Sequence, residues 1–419
     1  MAKETYSRRD FLKRAGLATV GAAAVLGSAE RSRAKPSASD TVTIGIIGTG
    51  SRGSHLLQII NTIPGLRVAA VCDVYQPHLE RGLKLAGGKI PAYQDYRQML
   101  EQKDLDSVLI ATPLHLHARM CIDAMQAGKD VFCEKTMTYS VEEAREVVQW
   151  VKRTNRVFQV GQQRRYSPVY HQAMRLIREG AIGEVVFIRA QWHRNADWRR
   201  AVPDPSLEKQ LNWRLYREFS GGLMTELGTH QIDVANWALG DIHPESCVGI
   251  GGIDYWKDGR EVYDNVSVVY KYPNGVKLVY TSITRNKFYG ASEQIMGSEG
   301  TIELTTSRAK VYRENPTRRS EFKEFVWSLE RELFQTVAIG TATFLPEDPN
   351  ADRGQWIEPE MPHSEEYLQL ESFAECVRTR KKPFADVIVG YNAGVAALIA
   401  NEAMDKGEVV LWPDHEELA

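Results

Sequence analysis

Residues 42–53 read VTIGIIGTGSRG, and the fold is decided there. Val42, Ile44, Ile46 and Ile47 form a short apolar run suited to a buried strand. It passes into Gly48-Thr49-Gly50-Ser51-Arg52-Gly53, a G-x-G-x-x-G turn, and Leu56, Leu57, Ile59 and Ile60 then predict a helix. Gly48 allows the tight turn, Gly50 lets a pyrophosphate approach the backbone, and Gly53 lets the helix lie close to the strand. The helix N-terminus offers N–H groups to an anion. A second apolar strand, Leu66–Cys72, ends at Asp73. A carboxylate there accepts a hydrogen bond from a ribose 2′-OH and repels a 2′-phosphate. The motif predicts NAD(H) as cofactor, while Arg52 stands near enough in sequence to weaken that preference and leaves NADP open.

Alternation continues beyond this unit. Ser107–Ala111 reads as a strand ending at Thr112-Pro113, Ala118–Ala127 as a helix, and Asp130–Cys133 as a strand ending at Glu134-Lys135. Tyr93–Leu100 and Val141–Arg153 read as helices and Arg156–Val160 as a strand. This predicts an α/β fold with a doubly wound parallel sheet over residues 35–163, whose ligands bind at the carboxyl ends of the strands. Residues 164–419 read differently. The helices Val169–Glu179, Met224–Leu239, Glu365–Arg378 and Val387–Ala403 accompany strands at Val185–Trp192, Val248–Tyr255, Val266–Tyr272, Val276–Ile283, Glu293–Met296, Thr301–Leu304 and Lys310–Tyr312. Asp258-Gly259 and Asn274-Gly275 read as hairpin turns. The expected second domain is α/β with a large, mostly antiparallel open sheet.

Composition narrows the function classes. The 419 residues are 43% hydrophobic and 25% charged, which suits a globular protein of two domains. The net charge of −2, without a long basic run beyond the N-terminus, argues against a nucleic-acid partner. Five scattered cysteines give no disulfide framework. His115-x-His117 lacks further ligands, and Asp348-x-Asn350-x-Asp352 has Pro359 where a calcium loop needs a bidentate carboxylate, so no metal is expected.

Ser7-Arg8-Arg9-Asp10-Phe11-Leu12-Lys13, followed by the Ala/Gly-rich run Ala15–Ala29, reads as a twin-arginine signal over residues 1–34. The run is too short and too weakly apolar to span a bilayer, and no cysteine near its end would carry a lipid. The reading is an exported, periplasmic protein that meets the twin-arginine machinery and has no stable membrane anchor. No free nicotinamide pool is expected outside the cytoplasm. The cofactor is therefore expected to be tightly bound, exported with the protein and restored within each turnover.

On the helix predicted at 224–239, Glu226, His230 and Asp233 lie at i, i+4 and i+7, on one stripe of an otherwise apolar surface. Burying three titratable groups unpaired is costly, so the stripe is a candidate catalytic face. The polar segment 193–220 holds His193, Arg194, Trp198, Arg199, Arg200, Trp213, Arg214 and Tyr216. Flat aromatic faces and guanidinium donors suit a sugar, and equally suit packing against the first domain.

The turn Gly48–Gly53, Thr112-Pro113 with His117, Glu134-Lys135, and Gly228-x-His230-x-x-Asp233 recur in this order and spacing in the glucose-fructose oxidoreductase, inositol dehydrogenase and MocA family, which the chain resembles over nearly all its length after the signal. The resemblance implies a Rossmann domain, then an α/β domain whose open sheet carries the substrate site and often the oligomer contact, hence a homo-oligomer. It implies NAD(P)-dependent chemistry on a secondary hydroxyl or ketone of a sugar, glycoside or polyol. The cofactor residues it implies are Gly48, Thr49, Gly50, Ser51, Arg52 and Gly53 at the turn, with Asp73, Thr112, Pro113, His117, Glu134 and Lys135. Substrate contacts are expected from Arg164, Tyr166, Trp198, Trp213, Tyr216 and His230. In the catalytic set, His230 moves the proton, Lys135 hydrogen-bonds the reacting oxygen, Glu226 tunes His230 and Asp233 orients the group. Two positions depart from the family pattern: Thr136 stands where proline usual follows Glu-Lys, and Glu226 where many members have Asp. Three functions compete: a sugar oxidoreductase with resident cofactor, a glycoside hydrolase working through a transient 3-keto sugar, and a non-catalytic sugar-binding protein.

Overall fold

The computed structural model describes residues 41–314 and 354–413; the expected export signal and the Asp348–Asp352 run lie outside the described residues. Strands β1 (Val42–Ile47), β2 (Leu66–Cys72), β3 (Ala92–Tyr93), β4 (Ser107–Ile110), β5 (Asp130–Cys133) and β6 (Phe158–Val160) form a parallel sheet in the order β3-β2-β1-β4-β5-β6. Every residue of β1 is buried, as expected of a strand covered on both sheet faces. The order reverses between β1 and β4, and their carboxyl ends lead into Gly48 and Thr112 respectively. That reversal opens the crevice where such sheets hold ligands.

Local signals set the element ends. Ser140 accepts from the Glu143 N–H at 3.1 Å while the Glu143 carboxylate accepts from the Ser140 N–H at 3.2 Å. This capping box starts the helix Val141–Thr154 directly after the Lys135 loop, and Asn155 in the left-handed region ends it. The helix expected over 93–100 shortens to Tyr96–Leu100, because Tyr93 pairs with Cys72 in the sheet and Asp95 caps the helix.

The second sheet contains β7 (Val185–His193), β8 (Ser246–Gly252), β9 (Asn265–Lys271), β10 (Lys277–Ile283), β11 (Ala291–Gly297), β12 (Gly300–Thr305), β13 (Ala309–Arg313), β14 (Gln355–Ile357) and β15 (Val410–Leu411). Its order is β14-β13-β12-β11-β7-β10-β9-β8-β15, and among the described strands only β7 and β10 run parallel. Burial alternates along β9 and β10, so one face is covered and the other open. The helices Pro168–Arg178, Thr229–Ala238 and Val387–Lys406 lie against this sheet. Val186, Val248, Ile250 and Val269 are exposed.

Asn274-Gly275 closes the β9–β10 hairpin, with Gly275 at φ +84°. Asp258-Gly259 does not close a tight turn. It sits within the longer connection 253–264, where Asp258 is held by Arg199 and Arg260. The helix expected at 224–239 is also modified: Met224–Gly228 is a π-helical turn, and the α-helix runs Thr229–Ala238. The changed pitch alters which side chains and carbonyls face the first domain.

Candidate active site

The dinucleotide turn fits the cofactor its sequence implies. A Cβ at Gly53 would lie 1.8 Å from the Gly48 carbonyl oxygen, so only glycine allows this closure of helix on strand. A Cβ at Gly50 would make only an ordinary contact with the His78 ring, at 3.7 Å. The helix Ser51–Ile60 has no side-chain cap and no acid in its first turn, leaving its N-terminal N–H groups to an anion. The Asp73 carboxylate accepts from the Thr49 N–H at 2.8 Å and the Tyr75 N–H at 2.9 Å. A carboxylate offers about four lone-pair sites, so these two bonds fix its position and leave acceptor capacity for ribose hydroxyls.

Arg52 does not extend toward Asp73. Its Nε donates to Glu134 at 2.7 Å, and Nη1 lies 3.4 Å from Glu366. The expected weakening of discrimination against NADP therefore has no basis in Arg52. Thr112, Pro113, His117, Glu134 and Lys135 gather at the ends of β4 and β5, and the Lys135–Thr136 peptide bond is cis. His117 is buried with Nδ1 2.8 Å from the Thr136 carbonyl and Nε2 3.0 Å from the Thr112 carbonyl. Two acceptors require two donors, which only the imidazolium supplies. Burial opposes that charge, but Cys133 and the two carbonyls outweigh it, and the pKa is pushed up to about 9.

Lys135 joins the two domains. Its Nζ donates to the Glu226 main-chain carbonyl at 2.8 Å, and the neighbouring Thr136 hydroxyl donates to the Thr225 carbonyl at 2.7 Å. Both acceptors belong to the π-helical turn. Burial, with Arg214 and Arg52 nearby, lowers the Lys135 pKa against the opposing pull of Glu226 and Glu134. The Glu226 carboxylate accepts from Arg214 Nε at 2.8 Å and the Ser220 hydroxyl at 3.2 Å. Burial would raise its pKa, but Arg214 and Lys135 outweigh that and hold it below the usual carboxylate range. A cavity of about 130 Å³ lies between the domains, bordered by Thr112, Glu134, Lys135, Trp213, Arg214 and Glu226 among others.

His230 follows one turn after Glu226 and is buried, with Nδ1 lacking a hydrogen-bond partner among the described residues. Burial, then the charges of Lys135, Arg164, Arg52 and Arg194, hold its pKa well below the usual range. The ring is therefore neutral and retains a lone pair, as a proton acceptor must. Trp192, at the end of β7, lies with its ring centre 5.5 Å from that of His230. Trp192 was expected only as the last residue of a strand; inward alternation along β7 is the sequence signal that places it.

Several expected site residues have other partners. Asp233 is paired with Arg165, accepting from Nε at 3.0 Å and Nη2 at 2.9 Å, and Arg165 also bonds Asp241. Asp233 is thus not gathered with Lys135 and Glu226. Tyr166 is buried, and its hydroxyl accepts from the Ala385 N–H. Tyr216 donates to Glu208 at 2.9 Å and braces the 193–220 segment. Trp198, at φ +65°, packs at the edge of the core. Arg164 is buried, ion-paired with Glu293, and lies 5.4 Å over the Trp192 ring. Trp213 borders the cleft. The segment also grips the first domain: Phe219 packs on His115 with ring centres 4.9 Å apart, and the Tyr139 hydroxyl donates to the Arg217 carbonyl.

Residues 42–162 match the oxidoreductase family with NAD-binding Rossmann fold, and residues 170–303 match the GFO/IDH/MocA C-terminal domain. The chain is 29% identical over 334 residues to the levoglucosan dehydrogenase of Pseudarthrobacter phenanthrenivorans, covering 72% of this chain and 81% of that one. It is 32% identical over 233 residues to a glycosyl hydrolase family 109 protein of Shewanella baltica, covering half of each. Among solved structures, a levoglucosan dehydrogenase in complex with NADH and levoglucosan superposes with a TM-score of 0.71 at 19% identity, over 89% of this chain and all of that one, which shows a common fold. With both halves matched in order, the chain belongs to the glucose-fructose oxidoreductase, inositol dehydrogenase and MocA family of NAD-binding oxidoreductases.

Proposed function

We propose that this protein is an NAD-dependent oxidoreductase acting on a secondary hydroxyl or ketone of a sugar or related polyol, in which Lys135 and His230 serve one reacting oxygen. The observation carrying this reading is the placement of Lys135 on the Glu226 carbonyl, one turn before a buried neutral His230. The sugar class is drawn from the levoglucosan dehydrogenase relative. The turn Gly48–Gly53 and Asp73 would hold the dinucleotide, which when bound accepts hydride from the alcohol carbon. His230 takes the hydroxyl proton through a ring nitrogen. Lys135 donates a hydrogen bond to the same oxygen and stabilises its growing negative charge. Arg214 and Ser220 fix the Glu226 side chain, and so the turn whose carbonyl locates Lys135. Asp233 acts only through the fold. The protein leaves the cytoplasm by the twin-arginine route with its cofactor resident, and copies associate through the open face of the second sheet.

A second reading is favoured by the family 109 relative: hydrolysis of a glycoside through a transient ketone, with the cofactor restored in the same turnover. The test is the same for both. Purified protein is incubated with a panel of sugars and glycosides without added NAD, and the products are read by mass spectrometry. A keto sugar with reduced cofactor supports net oxidation; a free sugar and aglycone support the second reading. Unchanged substrate across the panel, with cofactor bound, defeats both.

A further inference from the structure

We propose that Arg194 is an anion anchor in the substrate cleft, and that the sugar turned over there carries a negative charge, most simply a uronate carboxylate. The proposal rests on the oxidoreductase reading above and narrows its substrate. The positive charges around His230 are unevenly matched. Arg164 is ion-paired with Glu293, Arg52 with Glu134 and Glu366, and Arg214 with Glu226. Arg194 sits among them, yet among the described residues no carboxylate lies within ion-pair distance of it. Its side chain is placed over the Trp192 ring, 4.9 Å from the centre, and that ring is the neighbour of His230.

Arg194 is partly buried, and resting on an aromatic face compensates only in part for the water it has lost. Its own environment shows the deficit: burial and the like charge of Arg214 lower the Arg194 pKa, only partly opposed by Tyr280 and Glu226. Tyr280, on strand β10 beside β7, has a buried hydroxyl without a hydrogen-bond partner among the described residues. A guanidinium and a hydroxyl, both short of partners among the described residues, are the complement of a planar carboxylate. An anion on Arg194 would also offset one of the cations that, after burial, hold His230 neutral.

The test uses the full exported protein with its cofactor. Glucuronate, glucose and glucose 6-phosphate are compared by calorimetric binding and by reduction of the bound nicotinamide, in the parent and in Arg194→Gln. Glucuronate is expected to bind at least 10-fold more tightly than glucose, and the ratio to fall at least 10-fold in Arg194→Gln. Arg194→Lys, which keeps the charge, should recover part of it. Tighter binding of the 6-phosphate than of glucuronate would support the anion site with phosphate as its source. Equal binding and reduction with glucose and glucuronate would overturn the role of Arg194 and leave the oxidoreductase reading standing. Arg194-dependent glucuronate binding with no nicotinamide reduction by any sugar would do the reverse.

Discussion

The Lys135 ammonium donates to the main-chain carbonyl of Glu226, not to its carboxylate, at 2.8 Å. The π-helical turn makes this possible by presenting the carbonyls of Thr225 and Glu226 to the first domain. Lys135→Ala and His230→Ala should each slow single-turnover nicotinamide reduction by about 10²–10⁴-fold while leaving cofactor content nearly unchanged. The double variant should lose less than the product of the two, because both residues serve one transition state. Stopped-flow absorbance of the reduced cofactor measures this. Parent-rate reduction in His230→Ala would sink the assignment.

Glu226→Asp should be milder than either. The shorter carboxylate draws back from Arg214 and Ser220, but the carbonyl that holds Lys135 belongs to the backbone and remains. A loss of about 10-fold or less in nicotinamide reduction is expected, near the value of one charge-assisted hydrogen bond. A loss equal to that of Lys135→Ala would mean that the Glu226 carboxylate itself handles the proton.

Asp233 gives the opposite expectation to the other three. With Arg165 it forms a buried ion pair, so Asp233→Ala leaves the buried guanidinium held only by the half-exposed Asp241 and should destabilise the protein by up to about 3–5 kcal/mol. Replacing both partners by apolar residues, Arg165→Met with Asp233→Leu, should recover much of that. Denaturant titration measures the loss. The rate per folded molecule should stay within a few-fold of the parent, and a collapse of that rate in the refolded double variant would restore Asp233 to the chemistry.

Period and spacing made the first domain legible: β5 has the bounds its apolar run indicated, and the strand order places the glycine turn at the sheet reversal. The stripe of Glu226, His230 and Asp233 was drawn on an ideal α-helix. One turn of that helix is π, which no local residue preference announces, and the contact with Lys135 comes from a partner 91 positions away. Asp233 was placed by the same stripe, but its direction depends on Arg165, which lies in a separate segment. Trp192 and Glu293 escaped notice because one inward polar or aromatic residue in a strand reads as ordinary core. Arg52 was read by proximity in sequence, whereas its reach to Glu134 is set by the β1–β4–β5 arrangement.

Asp73→Ala should lower NAD affinity by about 10–100-fold, the value of a lost hydrogen bond to a charged acceptor, and narrow the difference between NAD and NADP. The variant also removes the acceptor for the Thr49 and Tyr75 N–H groups, so part of the loss will fall on both cofactors alike. Binding of each to cofactor-stripped protein separates the two effects. If the parent already binds NADP as well as NAD, Asp73 does not read the ribose.

His117 makes stability depend on pH in a predictable direction. Its pKa in the folded protein is about 9, above the value of roughly 6.5 expected in an unfolded chain. The folded state therefore holds the proton more tightly. The stabilisation is fully present below about pH 6.5 and is lost as pH rises toward 9. Burial opposes the charge, while Cys133 beside the ring and the carbonyls of Thr136 and Thr112 together favour the imidazolium. The parent should lose about 1–3 kcal/mol between pH 6 and 9.5 beyond what His117→Gln loses, since the amide cannot titrate. Guanidinium unfolding of both proteins at several pH values isolates the difference. Parallel curves would show that the ring is neutral and that one of its nitrogens faces a carbonyl without a proton to share.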